Sequence, residues 1–241
     1  MKKGILAFIC IVLAALLLVG CSDSGHHNYE DEGENGSYID YEKEQLRTAQ
    51  IGDKVSFGEY WDSSEDYKSA MSWIVLERMD DQVLLLSEYV IAGKSFSSGS
   101  ADWSSSSIRS WLNGSFKSDA FSSEEAAMLA EGLQCGDVNP EYGTSMDYET
   151  HDKVFLLSAG EVERYFSSNS EMAAISTRYA QQHGTSFGDG GRSNWWLRTP
   201  GMEYDRAVYV LGDAGICYGG CVTGEESRGV GVRPAIWVCI G

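Results

Sequence analysis

Basic residues are scarce in this chain: 18 Lys and Arg stand against 36 Asp and Glu, a formal net charge of −18. Binding to a phosphate backbone needs clustered Lys and Arg, so no nucleic-acid partner is expected. The longest apolar run, Ile5 to Val19, has 15 residues. A transmembrane helix needs about 20. H-E-x-x-H, C-x-x-C, G-x-x-x-x-G-K-[ST] and G-x-G-x-x-G are all missing, which removes the common zinc, redox and nucleotide signatures. The four histidines, His26, His27, His151 and His183, are too scattered for a zinc site. Aromatic residues, by contrast, make up 12% of the chain, too many for global disorder. The length suits one large domain or two small ones.

The N-terminus reads as an address. Met1-Lys2-Lys3-Gly4 supplies a short basic start, Ile5 to Val19 an apolar core, and Gly20 a small residue before Cys21. This is a secretory signal over 1–20. Leu18-Val19-Gly20-Cys21 resembles the lipobox of bacterial lipoproteins. That resemblance implies lipidation of Cys21 and anchorage to the extracytoplasmic face of the cell membrane. Residues 21–50 read as an acidic flexible tether. Eight acids (Asp23, Glu30, Asp31, Glu32, Glu34, Asp40, Glu42, Glu44) face two bases (Lys43, Arg47), and little apolar surface is available to offset ordering entropy. With two lysines in the signal and six surplus acids in the tether, −14 of the −18 belongs to residues 51–241. The acid is therefore spread over the domain, favouring solubility and repulsion from anionic surfaces.

From Ile51 the chain reads as one globular unit of 191 residues. Strands are predicted at Lys54–Phe57, Ser72–Glu77, Gln82–Ser87, Lys153–Ser158, Trp195–Arg198, Ala207–Leu211, Gly215–Tyr218 and Val232–Cys239, from apolar content, branched residues and Gly-rich turns. Helices are predicted at Ser105–Asn113, after the capping boxes Ser122–Glu125 and Ser158–Glu161, and over Glu171–His183. Residues 132–152 and 184–194 read as loops. Strands, then helices, then a strand-rich C-terminal third predict an α+β fold with mainly antiparallel sheets and two or three helices.

Chemical motifs are weak. Gly184-Thr185-Ser186-Phe187-Gly188 matches the nucleophile-elbow pattern, but it follows a predicted helix and no His comes after His183. Asp137-Val138-Asn139-Pro140-Glu141-Tyr142-Gly143 begins like a calcium loop, yet Tyr142 stands where the turn requires Gly. It reads as a polar loop. Cys10 leaves with the signal and Cys21 takes the lipid. Cys135, Cys217, Cys221 and Cys239 remain and allow three pairings. Cys217 and Cys221 flank Gly219-Gly220 closely enough for a local bridge, and free thiols are an equal alternative. No cofactor is expected.

One ordered set of short segments is more specific. Gly52–Tyr60, Trp73–Leu76, Leu84–Ser87, Ser107–Asn113, Phe155–Ser158, Trp195–Arg198 and Val232–Ala235 together resemble a bacterial family, domain of unknown function 6273, over about residues 51–239. That family looks related to the C-type lectin-like fold of formylglycine-generating enzymes and of the variable proteins of diversity-generating retroelements. The resemblance implies a compact domain whose first and last strands lie together, placing Val55 near Ile236. It makes the tryptophans core residues. In an alternating strand Trp195 and Trp196 face opposite sides, so one packs in the core and the other covers a rim or a second layer. In the retroelement proteins the loops before the closing strand carry the ligand surface. Here that stretch is Thr199–Gly229, and Tyr204, Asp205, Arg206, Tyr209, Asp213 and Tyr218 are the candidate ligand-binding residues. Met202, Glu225 and Arg228 lie in the same stretch. Formylglycine-generating enzymes hold copper on a C-terminal Cys pair, so Cys217 and Cys221 are the candidate pair for a metal or a disulfide, at a spacing one residue shorter. The leading expectation is a membrane-anchored binding module for a protein or glycan. An enzyme related to formylglycine generation and a purely structural surface protein are the alternatives.

Overall fold

A computed structural model describes residues 35–64, 67–224, 227 and 229–241. They belong to the compact unit Glu32–Gly241. The signal and Cys21 lie outside the described residues, as do Glu225 and Arg228. The chain opens with helix α1 (Asn35–Thr48) and three strands, β1 (Lys54–Trp61), β2 (Lys68–Arg78) and β3 (Gln82–Ser87), then a short β4 (Ala92–Gly93). Helices α2 (Ser107–Trp111), α3 (Lys117–Ala120) and α4 (Ser123–Met128) come next. Short strands β5 (Leu129–Ala130), β6 (Gly132–Cys135), β7 (Glu149–Asp152) and β8 (Val154–Phe155) lead to α5 (Ala159–Tyr165), α6 (Asn169–Met172) and α7 (Arg178–Gln182). Strands β9 (Trp195–Pro200), β10 (Arg206–Val210), β11 (Ile216–Val222), β12 (Gly231–Val232) and β13 (Ala235–Cys239) close the chain.

The fold is α+β, with mostly antiparallel sheets. The first sheet runs β1-β2-β3-β13-β5, with β8 also paired to β13. The second runs β11-β10-β9-β12-β4, and β6 pairs with β7. In β2, Met71, Trp73 and Val75 alternate inward, as a pleated strand requires. The chain passes from the second sheet to the first at Arg233-Pro234. Pro234 has no N–H for a ladder, and its carbonyl accepts from Ser87 N at 2.9 Å. The predicted single strand Val232–Cys239 is therefore two strands in two sheets.

Four tryptophans, Trp73, Trp103, Trp195 and Trp196, are fully buried, and Trp61, Trp111 and Trp237 pack against the same core. Of the two places expected for the second of Trp195 and Trp196, a rim or a second layer, the rim is excluded, because both are fully buried. Trp195 donates to Met172 O at 3.1 Å and Trp196 to Lys94 O at 2.9 Å. Both neighbouring side chains have an apolar layer over them and an acceptor for the indole N–H.

Other expectations are corrected as well. The tether was expected to run to residue 50, but Asn35–Thr48 is helical. Leu46 is fully buried, and Arg47 Nε donates to Ile240 O at 2.9 Å. Arg78 also donates to the carbonyls of Leu46, Arg47 and Ala49 at the helix end. Tertiary burial and capping hold a helix whose own composition is poor. The predicted helix Glu171–His183 is split. Thr177 N donates to Val90 O and Val90 N to Ile175 O, so the stretch 173–177 pairs with a neighbouring segment instead of coiling. The predicted loop 132–152 contains the β6–β7 pair. Seven α-helices appear among the described residues rather than two or three, besides two 3-10 turns and the π turn Leu112–Phe116 that joins α2 to α3. All but α1 span only four to seven residues, too short for a periodic pattern. Both predicted capping boxes form, at Ser122–Glu125 and Ser158–Glu161. Val55 and Ile236 share the first sheet, but β2 and β3 lie between their strands; it is β3 that pairs with β13.

Candidate functional site

The β10–β11 hairpin carries most of the predicted ligand residues, and its register decides which of them meet. Arg206 pairs with Val222 and Val210 with Ile216, so the 211–215 turn lies at one end of the hairpin. Tyr204, Asp205 and Arg206 lie at the other end. Five residues of strand separate the two, about 17 Å. Asp213 is therefore not brought together with Tyr204, Asp205 and Arg206. Instead it lines a cleft of about 460 Å³ with Ser186, Phe187, Asp189 and Arg192. The serine of the G-x-S-x-G motif lines the same cleft. Ser186 N donates to Gly229 O, and the His183 ring stacks on Tyr179 with Nδ1 2.8 Å from Tyr179 O.

The other end of the hairpin is built with more care. Gly201 and Gly220 allow three backbones to pinch together: a Cβ on Gly220 would sit 2.7 Å from Ala207 O, and one on Gly201 2.7 Å from Gly219 O. Gly220 also has φ +73°, a conformation costly for other residues. Across this pinch lies the 137–146 loop, held by fully buried Asn139. Asn139 Nδ2 donates to Pro200 O at 2.9 Å and to Tyr218 O at 2.8 Å, while its Oδ1 accepts from the backbone N–H of Glu141 and Tyr142. Thr199 Oγ1 donates to Asp137 Oδ2 at 2.6 Å and accepts from Ala159 N at 2.8 Å. The loop that resembled a calcium site thus spends its oxygens on structure. Among the described residues, no group of three or more His, Cys, Asp or Glu is placed to hold a metal ion.

This frame displays three large side chains. Tyr204 is 64% exposed, and Tyr142 and Met202 are 46% exposed. The Tyr142 hydroxyl and the Met202 sulfur both come within 4 Å of the place where a Cβ on Gly219 would sit. Sequence reasoning missed Tyr142, which is 62 residues from Tyr204 in the chain; only the fold brings its loop to the hairpin.

Tyr218 points elsewhere. Its hydroxyl donates to the Glu163 carboxylate on α5, and both line a cleft of about 340 Å³ with Val162, Phe166, Asn169 and Met172. Burial first, and then the bond to Glu163, push the Tyr218 hydroxyl well above the ordinary tyrosine range. Beside this cleft lies fully buried Arg233. Its guanidinium sits 5.0 Å from the Trp195 ring and donates to Ser87 O and Met172 O. Burial pulls its pKa down to about 9. Arg198 makes a two-pronged bond to Glu161 at 2.5 and 2.8 Å. Both arginines hold backbone and loops.

Tyr209, Cys217 and Cys221 share the face of the hairpin between its two ends. Tyr209 pairs with Cys217 and Ala207 with Cys221 across the ladder. Both thiols are half-buried and unbridged. Burial, followed by a hydrogen bond to Cys217, pushes the Tyr209 hydroxyl up to about 12.

The fold and this surface define an α+β domain that carries an exposed Tyr/Met face on a pinned hairpin. A family model, domain of unknown function (DUF6273), matches residues 80–240, two thirds of the chain, and the chain belongs to that family. The match begins at β3, so β1 and β2 precede it. No curated protein and no solved structure matches the chain significantly.

Proposed function

We propose that this protein is a lipid-anchored binding module on the extracytoplasmic face of the cell membrane, with a protein or glycan as its ligand. The observation that carries the reading is the exposed trio Tyr142, Met202 and Tyr204, standing on loops that one buried Asn139 ties to the hairpin. Tyr offers large contact area and hydrogen bonding at low entropy cost, and Met adapts to an irregular partner. An immobile frame limits the ordering cost of binding. The lipobox Leu18–Cys21 and the acidic segment after it support the anchor. We read the fold as C-type lectin-like: the closing strand β13 pairs with β3, the first strand of the family-matched segment.

The test uses the full chain carrying Cys21→Ala, so that a lipid does not itself hold it to membranes. This chain and its Tyr142→Ser, Met202→Ser, Tyr204→Ser variant are sedimented with isolated cell envelopes. Loss of co-sedimentation at an unchanged melting temperature supports the reading; equal binding by both refutes it. For the anchor, Cys21→Ala is expected to lose labelling by radioactive fatty acid and to leave the membrane fraction. Retention of both would overturn that part.

A further inference from the structure

We propose that Cys217 and Cys221 form a redox-active dithiol that closes reversibly into an intramolecular disulfide. The ladder register brings the two cysteines together. Residues four apart on a regular strand lie about 13 Å apart, beyond the reach of a disulfide. On β11 the spacing is compressed. Cys217 is opposite Tyr209 and Cys221 is opposite Ala207, so four residues of β11 span the length of two on β10. That length is about 6.6 Å, inside the range of roughly 4.4–6.8 Å between the Cα atoms of bridged cysteines. The surplus is absorbed at Gly219-Gly220. Gly220 takes φ +73°, and a Cβ there would sit 2.7 Å from Ala207 O.

Pairing across the ladder also puts both cysteines on the sheet face that carries Tyr209 and Ala207. The electrostatics agree with the geometry: the Tyr209 hydroxyl hydrogen-bonds Cys217 and senses both thiols, and Cys221 senses Cys217. β11 is the outermost strand of its sheet and is half-buried along its whole length, so a small reagent can reach the pair. Burial raises the Cys221 thiol above its ordinary value, and Arg206 offsets part of that rise. Cys135 and Cys239 stand on β6 and β13, in other sheets.

The reaction with a small disulfide such as glutathione disulfide balances in two exchanges. One thiol, as thiolate, attacks a glutathione sulfur, breaking that S–S bond and forming a mixed disulfide. The first glutathione leaves as thiolate and takes up a proton. The second cysteine then attacks the sulfur of the first, forming the Cys217–Cys221 bond and releasing the second glutathione. Two electrons and two protons pass from the protein to the reagent. The proposal is independent of what the exposed tyrosine face binds.

The experiment treats the full chain with glutathione disulfide, digests it under acid and maps the linked peptides by mass spectrometry, before and after dithiothreitol. The expected result is a chain lighter by two hydrogens, with two fewer titratable thiols and a 217–221 link that the reductant removes. Cys135→Ser and Cys239→Ser are expected to keep the link, and Cys217→Ser to lose it. A stable glutathione adduct at either position, a link from Cys217 or Cys221 to another cysteine, or two unreacted thiols would each overturn the proposal. The map in the unsubstituted chain decides the matter even if a variant fails to fold.

Discussion

Replacing Asn139 with Ala removes four side-chain hydrogen bonds at once. They do not count equally. The amide groups of Glu141 and Tyr142 lie on exposed residues and can turn to water. The carbonyls of Pro200 and Tyr218 lie at the base of the loop, where Asn139 itself is fully buried. A buried acceptor left unpaired costs about 1–3 kcal/mol. Pro200 O is such an acceptor and Tyr218 O, on a half-buried residue, a partial one, so the loss is roughly 2–3 kcal/mol with some relief from water entering the space vacated. At a urea dependence of ~2–3 kcal/mol/M, the unfolding midpoint moves down by roughly 1 M. Asn139→Asp is the sharper partner experiment. It keeps the two acceptor bonds but turns a carboxylate oxygen toward two carbonyl oxygens. It is expected to destabilise at least as much as Ala at neutral pH. A loss below ~0.5 kcal/mol for both variants would refute the claim that this side chain pins the loop to the hairpin.

Two further outcomes are expected. Leu46→Ala in α1 should cost about 2–5 kcal/mol, because the side chain is fully buried and a cavity would remain. A neutral result in urea unfolding would show that α1 is not part of the cooperative fold. For Tyr209 the sign is set by a folded pKa of about 12 against an ordinary value of 10.0. The neutral hydroxyl's contribution is fully present below pH 10 and is lost as pH rises from 10 towards 12. Tyr209→Phe should therefore lose less stability than wild type over that window, and parallel pH profiles of the unfolding midpoint would contradict this.

The tryptophans show what a sequence makes legible and what it does not. Their place within or beside the segments that resemble the family marks them as core, and all seven pack there. Capping boxes are similarly local, since three residues carry the whole device, and both form. The errors share a different cause. Residues 173–177 extend because Val90 and Gly191, far away in sequence, supply hydrogen-bond partners. α1 forms at the end of an acidic stretch because Arg78 and Ile240 receive it. Val55 and Ile236 are separated because two strands intervene in the sheet, an ordering that no local pattern encodes. The candidate site divides along the same line. The tyrosines of the hairpin could be chosen from composition. Their distribution over three places, and the arrival of Tyr142 beside them, depend on ladder register and on the reach of Asn139.

The central claim is that the exposed face at the Tyr204 end of the hairpin meets a ligand. Hydroxyl-radical footprinting of the full chain, alone and bound to isolated cell envelopes, tests it most directly. The account predicts reduced oxidation at Tyr142, Met202 and Tyr204, with Met79 and Tyr89, exposed elsewhere on the domain, unchanged. Unchanged oxidation of the trio in the bound state, or protection confined to Met79 and Tyr89, would contradict it.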